Sequence, residues 1–142
     1  SHKRFWFFTL HTDHKGEQSQ IESCRLVLDR IKKMCHGERA VLTGDFNVGE
    51  TSTCHSIICE SGILRDAYDS SPIRLTTTGT ENWFDPDIKT FRRIDHIFIT
   101  PGFTPLRYGI LTDTYRVPTD VPGKYRAHTP SDHFPVVVEL AY

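Results

Sequence analysis

Short apolar runs alternate with longer amphipathic stretches along the first 60 residues of the chain. Residues 5–10 form an aromatic run typical of a central strand, and a second apolar run covers residues 39–43. Three more apolar runs follow in the second half of the sequence. We therefore predict strands over residues 5–10, 39–43, 91–100, 108–116 and 134–141.

Two segments have the hydrophobic spacing of a helix. Residues 19–36 place apolar side chains at intervals of three and four, with charged residues largely elsewhere around the helix. Residues 53–61 form a shorter helical pattern whose N-cap is Thr51 or Ser52. The apolar positions of the longer helix are Ile21, Cys24, Leu28, Ile31 and Cys35.

The order of these elements predicts the fold class. Strand, helix, strand, helix and then further strands indicate an α/β arrangement. We expect one largely buried sheet, mixed or mainly antiparallel, with the helices on one face. Residues 69–89 are rich in Thr, Ser, Asp, Asn and Pro, and we expect them to be mostly irregular.

Length and charge exclude some classes of protein. The 142 residues are enough for one domain with a hydrophobic core. Formal net charge is −1, from 17 basic and 18 acidic residues, which argues against a general polyanion binder. No apolar stretch reaches the roughly 18 to 20 residues that a membrane span requires.

The four cysteines do not indicate a disulfide framework. Cys24 and Cys35 lie in one predicted helix, where eleven residues at about 1.5 Å each keep their sulfurs far apart. Cys54 and Cys59 complete the set without a C-x-x-C pair or a convincing zinc spacing. Buried or half-buried free thiols are the expected state, and the cellular compartment stays open.

An acid and an amide follow the second predicted strand. Asp45 and Asn47 are two residues apart, so in an extended segment their side chains point to the same side. A carboxylate can bind Mg²⁺ or orient a water, and an amide can hydrogen-bond a phosphate oxygen. The same composition also occurs in an ordinary turn.

Three further polar clusters lie at the ends of predicted strands. His11 follows the first strand, Asp95 interrupts the apolar run 91–100, and Asp132 with His133 precedes the last strand. Each has a structural alternative: a buried histidine, an ion pair of Asp95 with Arg92 or Arg93, and a turn cap. Four such clusters, all supplying Asp, Asn or His, together favour a functional site.

Asp95 needs a partner, because a carboxylate is costly to bury within an apolar strand unless it is paired. An imidazole is suited to this pairing, and both His96 and His133 are available. Period-two alternation places His96 on the opposite side of the sheet from Asp95. Asp132 and His133 can reach one site together only if they lie in the turn before the last strand.

Four segments, in this order, resemble the C-terminal half of the endonuclease/exonuclease/phosphatase superfamily, the deoxyribonuclease-I-like phosphoesterases. The matching segments are residues 9–14 (TLHTDH), 44–47 (GDFN), 93–98 (RIDHIF) and 131–136 (SDHFPV). The resemblance implies half of a four-layer α/β sandwich. It assigns residues 1–142 to the C-terminal half of that domain.

The resemblance also implies a mechanism, in which one or two Mg²⁺ or Mn²⁺ ions assist the attack of water on a phosphodiester or phosphomonoester. Asp45 would orient or deprotonate that water, while Asn47 and His11 would contact phosphate oxygens. Asp95 would orient His133, which binds the phosphate and stabilises its growing charge. Asp132 would lie at the metal, where the carboxylate of Asp45 is a second candidate ligand.

Two departures from the family pattern bear on activity. Thr9 stands where the family usually has an Asn two residues before the histidine. The half of the family that supplies the principal glutamate metal ligand has no counterpart in these 142 residues. We expect a fragment, rather than a natural truncation or one member of an assembly. The missing half or a second chain would then complete the sandwich, and this chain alone would be weakly active or inactive.

The substrate is the least constrained feature. The loop before residue 131 carries Arg116, Lys124, Tyr125 and Arg126, which could line the substrate entrance or could simply be solvated. Such side chains could hold a nucleic acid, a sugar or inositol phosphate, or a lipid head group. The competing class is a binding or assembly module that keeps the fold without catalysis.

Overall fold

The computed structural model of the chain describes residues 4–75 and 78–142. Its helices are α1 (Glu17–Cys35), α2 (Thr53–Glu60) and α3 (Ala67–Ser70). Its strands are β1 (Trp6–His11), β2 (Ala40–Asp45), β3 (Arg65–Asp66), β4 (Ile73–Leu75), β5 (Asp95–Ile99), β6 (Thr104–Ile110), β7 (Tyr115–Pro118), β8 (Tyr125–His128) and β9 (Val136–Ala141).

Both predicted helices are present, with ends that local chemistry explains. Ser52 is the N-cap of α2, because its side chain accepts a hydrogen bond from the amide of His55. The longer helix ends at His36, which adopts the left-handed conformation common at helix C-termini. Within the described residues, no helix is both long and apolar enough to cross a membrane.

The largest sheet among the described residues has the strand order β1-β2-β5-β3. β1 runs parallel to β2, and β5 runs antiparallel to β2. Their register places His11 beside Asp45, and Asp45 beside Asp95. Because registered neighbours point to the same face of a sheet, all three side chains lie together at one end of it.

One face of this sheet is covered by α1 and α2. Leu28 and Ile31 of α1 pack with Ile58 of α2 against Leu42 of β2 and Phe98 of β5. Leu42 and Phe98 are partners in the β2–β5 ladder, so their side chains point to the same face of the sheet, and alternation along each strand keeps their sequence neighbours on the other face. The two predicted helices, α1 and α2, thus lie on one face, as the sequence predicts, whereas Ala67 of α3 packs with Val41 and Ile99 on the other.

The other face of the sheet packs against a second sheet. This one has the order β4-β6-β9, and Val136, Val138 and Leu140 of β9 pack against Val41 and Ile99. The mixed α/β class is confirmed, but the single predicted sheet is wrong. β6 and β9 stack on the first sheet through their apolar side chains instead of extending it edge to edge, giving a sheet-on-sheet core.

Four predicted segments differ from the structure in their extent or type. The strand predicted over 91–100 is formed only over 95–99. The strand predicted over 108–116 begins earlier, ends at Ile110, and is followed by a separate strand, β7. The loop predicted before residue 131 contains an antiparallel β7–β8 hairpin, and the irregular stretch includes α3 and β4.

The cysteines are free, as predicted. Cys24, Cys35 and Cys54 are buried, whereas Cys59 is half-buried. Burial raises the pKa of the Cys24 thiol to about 12, with a further contribution from neighbouring Cys54. These buried thiols therefore serve as small apolar side chains of the core between the helices and the sheet.

Candidate active site

Three side chains meet where β1, β2 and β5 are in register. The imidazole Nε2 of His11 lies 3.4 Å from Oδ2 of Asp45, and the His11 side chain is largely exposed. Asp95 is the first residue of β5 and faces the same side as Asp45. Asp95 therefore does not interrupt a strand, as the sequence suggested, but begins one at the sheet end.

His133 reaches this site from the segment before β9. Its Nδ1 lies 2.8 Å from Oδ2 of Asp95, and its Nε2 lies 4.0 Å from Oδ2 of Asp45. Partial burial disfavours the imidazolium, but the hydrogen bond and charge of Asp95 outweigh it and raise the pKa of His133. The predicted Asp95–His133 pair is confirmed, with Nε2 left facing Asp45.

Asp45 and Asn47 are brought together by a turn, not by strand alternation. Asn47 has a left-handed backbone, with φ of 54°. Its amide N–H donates to Oδ1 of Asp45 over 2.8 Å, which closes an Asx turn. The Nδ2 group of Asn47 donates to the carbonyl of Thr12 over 2.9 Å, so the side-chain oxygen keeps its acceptor capacity.

Asp132 lies in the turn before β9, as its participation requires. Its exposed carboxylate accepts a 3.3 Å hydrogen bond from the hydroxyl of Ser131, which in turn accepts one from the amide of His133. Its backbone carbonyl accepts hydrogen bonds from the amides of Asn82 and Trp83. The role of Asp132 at a metal stays a prediction.

The donor set at this site fits a divalent cation that prefers oxygen. One potential ligand atom each from Asp45, Asp95 and His133 lies within 4.8 Å of the other two. Two carboxylates supply the hard oxygen donors that Mg²⁺ and Mn²⁺ favour, and the exposed Asp132 carboxylate is close in sequence to His133. The residues present are therefore compatible with such an ion.

A second group of His and Asp side chains lies on the opposite face of the sheet. Oδ2 of Asp66 is 2.9 Å from Nε2 of His55 and 3.6 Å from Nδ1 of His96. The guanidinium of Arg93 lies 3.4 Å from the same oxygen, which places a fixed positive charge against the carboxylate. Because Arg93 already neutralises Asp66, this group is a buried ion-pair network and a poor cation site.

The pKa shifts in this network follow from the same contacts. The hydrogen bond that the His55 imidazolium donates to Asp66, with a second hydrogen bond between His55 and Cys59, raises the pKa of His55 to about 10. Burial disfavours the Asp66 carboxylate, but hydrogen bonds from His55 and His96 and the charge of Arg93 lower its pKa well below the ordinary value. His96 faces away from Asp95, as strand alternation predicts.

A groove of about 650 Å³ opens between the two sheets at the candidate site. Asp45, Asp95 and His133 line its polar end. Its apolar walls include Val137 and Phe7, and Phe7 is exposed to a degree unusual for a large apolar side chain of a central strand. One concave surface thus joins a charged end to a broad apolar floor.

The four residues predicted to contact substrate lie on the β7–β8 hairpin. Pairing of Val117 with Arg126, and of Pro118 with Tyr125, places Arg126 and Tyr125 on opposite faces of the hairpin. Arg116 shares a face with Tyr125, and Lys124 lies in the connecting turn. These side chains do not form one surface, and their contact with substrate stays a prediction.

Several residues that shape the site were not anticipated. The hydroxyl of Thr80 accepts hydrogen bonds from the amides of Ile94 and Asp95, which fixes the start of β5. Arg92 donates to the carbonyl of Asn47 over 2.7 Å. Thr80 lies in a segment that composition marks as irregular, so periodicity gave no signal for it.

A sheet-on-sheet core with two helices packed on one outer face has the architecture of a deoxyribonuclease-I-like fold, and an Asp–His pair lies beside a second Asp and a His at one end of it. The sequence profile of the Endonuclease/Exonuclease/phosphatase family matches residues 5–133. The chain belongs to this family. None of the curated proteins matches the chain significantly.

Solved structures agree with this assignment. A mannosyl-6-phosphatase from Bacteroides thetaiotaomicron is 47% identical to the chain and superposes with a TM-score of 0.91, the match covering 97% of this chain and 51% of that one. A family protein from the same organism is 48% identical with a TM-score of 0.88, covering 96% and 48%. The chain spans about half the length of these structures.

More distant structures share the fold alone. Beta toxin from Staphylococcus aureus, solved with bound magnesium ions, is 16% identical with a TM-score of 0.58. The match covers 92% of this chain and 51% of the toxin. The predicted deoxyribonuclease-I-like α/β fold is confirmed by these structures.

Proposed function

We propose that the full-length protein containing this chain is a divalent-metal-dependent phosphoesterase, and that it hydrolyses a phosphomonoester carried by a sugar. The observation that carries the proposal is the arrangement of His133 between Asp95 and Asp45, with His11 on the far side of Asp45. Two imidazoles and a carboxylate thus converge on one end of an open groove.

Each residue has a role suited to its contacts. Asp95 holds the Nδ1–H of His133 and favours the imidazolium, so Nε2–H can donate to a phosphate oxygen. His11, exposed beside Asp45, can contact a second phosphate oxygen. Asp45 keeps Oδ2 directed toward both imidazoles and can orient the attacking water. It takes the proton of that water as the new phosphorus–oxygen bond forms and the bond from phosphorus to the sugar oxygen breaks, and the sugar leaves as an alcohol with a proton from solvent.

A bound Mg²⁺ or Mn²⁺ would supply charge neutralisation at the phosphate oxygens and at the leaving oxygen. In this chain Asp45 and Asp132 are its proposed ligands, with Asp95 engaged mainly by His133. Asn47 is proposed to contact the phosphate through its side-chain amide, since only one of the two Nδ2 hydrogens is used by Thr12.

A sugar phosphate is the substrate class we favour. The mannosyl-6-phosphatase shares 47% of residues over nearly the whole chain, far above the level that indicates fold alone. Near-neutral formal charge also disfavours a long polyanion. Nucleic acids, inositol phosphates and lipid head groups are less consistent with this pair of observations.

We further propose that residues 1–142 are the C-terminal half of the domain and that the other half, or a second chain, covers the apolar part of the groove. Support comes from the half-length coverage of both Bacteroides relatives and from the exposure of Phe7. A chain without that half would bind metal weakly and turn over slowly.

The test measures phosphate release from mannose 6-phosphate by the full-length protein, with Mg²⁺, with Mn²⁺ and with EDTA. We expect hydrolysis that requires the cation and that Asp45→Asn lowers at least about 100-fold in kcat. Asp29→Asn is the matched control, because Asp29 is a partly exposed carboxylate of α1 that pairs with Lys33 on the same helix.

Two results would contradict the proposal. Hydrolysis that persists in EDTA would contradict the requirement for a metal ion. Equal activity of Asp45→Asn and Asp29→Asn would show that Asp45 takes no part in catalysis. Bis-(p-nitrophenyl) phosphate as a second substrate separates phosphodiester from phosphomonoester cleavage. Metal-linked stabilisation without hydrolysis of either substrate would favour a non-catalytic binding module.

A further inference from the structure

The loop that precedes β5 carries a concentration of exposed aromatic side chains. We call residues 82–92 the aromatic loop. Trp83 is 65% exposed, Phe84 60% and Phe91 79%, so three large apolar rings face solvent within nine residues. Single exposed apolar residues are ordinary, whereas several large ones within one short loop are typical of a binding segment.

Hydrogen bonds attach the aromatic loop to both sides of the candidate site. At its beginning, the amides of Asn82 and Trp83 donate to the carbonyl of Asp132, over 2.7 and 3.1 Å. At its end, Arg92 donates to the carbonyl of Asn47 over 2.7 Å. Since Asp132 adjoins His133 and Asn47 adjoins the Asp45 turn, the loop spans the rim between the two catalytic segments.

The backbone beneath two of the rings is strained. Trp83 and Phe84 have φ values of 50° and 63°, in the left-handed region that bulky side chains rarely adopt. Such conformations cost free energy and persist only where surrounding contacts hold them, often at binding sites.

Buried Asn82 supplies the contacts that hold this backbone. Its Oδ1 accepts hydrogen bonds from the amide of Phe84 over 2.8 Å and from the hydroxyl of Thr129 over 3.1 Å. Its own carbonyl accepts a bond from the amide of Asp85. The side chain of Asn82 is fully buried, so the turn is fixed by the interior and not by solvent.

We propose that Trp83 and Phe84 form a platform for the sugar ring of the substrate and thereby determine specificity. This inference rests on the proposed function, since it names the part of the molecule that recognises the group bearing the phosphate. A hexose ring has a face of C–H bonds that packs on an aromatic ring, while its hydroxyls remain solvated. The platform contacts substrate and takes no part in the chemistry.

The experiment compares two phosphomonoesters in the full-length protein with Mg²⁺. Mannose 6-phosphate carries the ring, and glycerol 3-phosphate carries the same phosphate without one. We expect Trp83→Ala and Phe84→Ala each to lower kcat/KM for mannose 6-phosphate about tenfold, mainly through KM, and to change kcat/KM for glycerol 3-phosphate less than about twofold. Trp83→Phe should retain most of the preference.

Leu26→Ala is the matched control, since Leu26 is an apolar residue of α1 with 56% exposure, on the helix-covered side of the sheet. This substitution should leave kcat/KM unchanged for both substrates. Adenosine 5′-monophosphate as a third substrate detects a platform for a nucleobase; a larger loss for it than for mannose 6-phosphate would overturn the sugar assignment.

The outcomes separate this inference from the proposed function. If the wild type hydrolyses mannose 6-phosphate and both alanine variants do so equally well, the platform is wrong and the function stands. If the alanine variants lower kcat/KM for both substrates by the same factor, the loop acts by holding the catalytic turn, and the proposal of a sugar platform is also wrong. If the wild type hydrolyses glycerol 3-phosphate but no hexose phosphate, both proposals on the sugar fail.

Discussion

Two imidazole–carboxylate pairs, His133–Asp95 and His55–Asp66, lie on opposite faces of the same sheet and have different surroundings. His133 is partly exposed in the groove, so its Nε2 is available to a ligand. His55 is a buried residue of α2, and its partner Asp66 is also paired with Arg93. The same two residue types therefore form a candidate catalytic pair in the groove and a stabilising ion-pair network in the core.

The buried pair predicts how stability depends on pH. His55 has a pKa of about 10 in the folded chain against an ordinary 6.5, mainly because of its bond to Asp66. A raised folded pKa contributes stability that is complete below pH 6.5 and is lost as the pH rises through 10. We expect the free energy of unfolding of the full-length protein to fall by about 2 kcal/mol more between these limits than in His55→Gln.

Urea unfolding at both pH values makes this measurement. His14→Gln is the control, because the side chain of His14 is exposed beside Asp13 and should leave the pH dependence of the wild type unchanged. Identical pH slopes for the wild type and His55→Gln would show that His55 carries no excess proton in the folded state.

At the scale of single residues, chemical type and strand alternation were sufficient for the Asp95–His133 pair and for the opposite placement of His96. They were insufficient for Asn47, whose left-handed backbone comes from a turn that no periodicity reports. Thr80 and Asn82 were missed because their importance lies in hydrogen bonds to distant backbone amides and side chains.

At the scale of elements, the site depends on the close approach of β1 and β2. Gly44 pairs with Leu10 in the parallel ladder, and a Cβ atom built on Gly44 would lie 1.9 Å from the carbonyl oxygen of Leu10. A backbone carbonyl within a sheet cannot move aside as the end of a flexible side chain can. The glycine of this motif therefore keeps His11 and Asp45 in register.

We expect Gly44→Ala to lower the free energy of unfolding by about 3 kcal/mol and to reduce kcat, because β1 must move away from β2. Chemical denaturation and steady-state kinetics of the full-length protein measure both effects. Gly49→Ala is the matched control: its Cβ would meet Arg92 at 3.5 Å, an ordinary contact. Wild-type stability of Gly44→Ala would mean that the strands tolerate separation.

The elements could be predicted unequally from sequence. Helices α1 and α2 were predicted to within two residues at each end, because an amphipathic stripe and Ser52 as a cap define them locally. The strand over 91–100 was predicted too long, since Phe91 looks like strand but is exposed in a loop. The assignment of strands to sheets could not be predicted, because a strand that pairs along the edge of a sheet and a strand of a second sheet packed on its face have the same alternation of apolar residues.

At the scale of the whole molecule, the groove between the sheets has an apolar wall that the described residues leave open. Phe7 is 61% exposed although it lies in a strand beside Val41. In the longer protein we propose that the other half covers it. Phe7→Asp in that protein should then lower the free energy of unfolding by about 3 kcal/mol, the cost of placing a charge in an apolar interface.

Thermal and urea unfolding of the full-length variant test this expectation. Leu26→Asp is the control, because Leu26 is similarly exposed but lies on α1, away from the groove. It should change stability by less than about 0.5 kcal/mol. Equal effects of the two substitutions would place Phe7 at a solvent surface in the longer protein as well.

The anchoring of the aromatic loop has a consequence for how this scaffold can diversify. Main-chain bonds from Gly79 to Thr90 and from Thr80 to Arg92 close the base of the loop, and bonds to the Asp132 carbonyl fix its first residues. Residues between those anchors can change in length or composition without moving Asp95 or His133. If the proposed function holds, exchange of this one segment between relatives is a route to new substrate ranges without a change in the Asp45, Asp95 and His133 site.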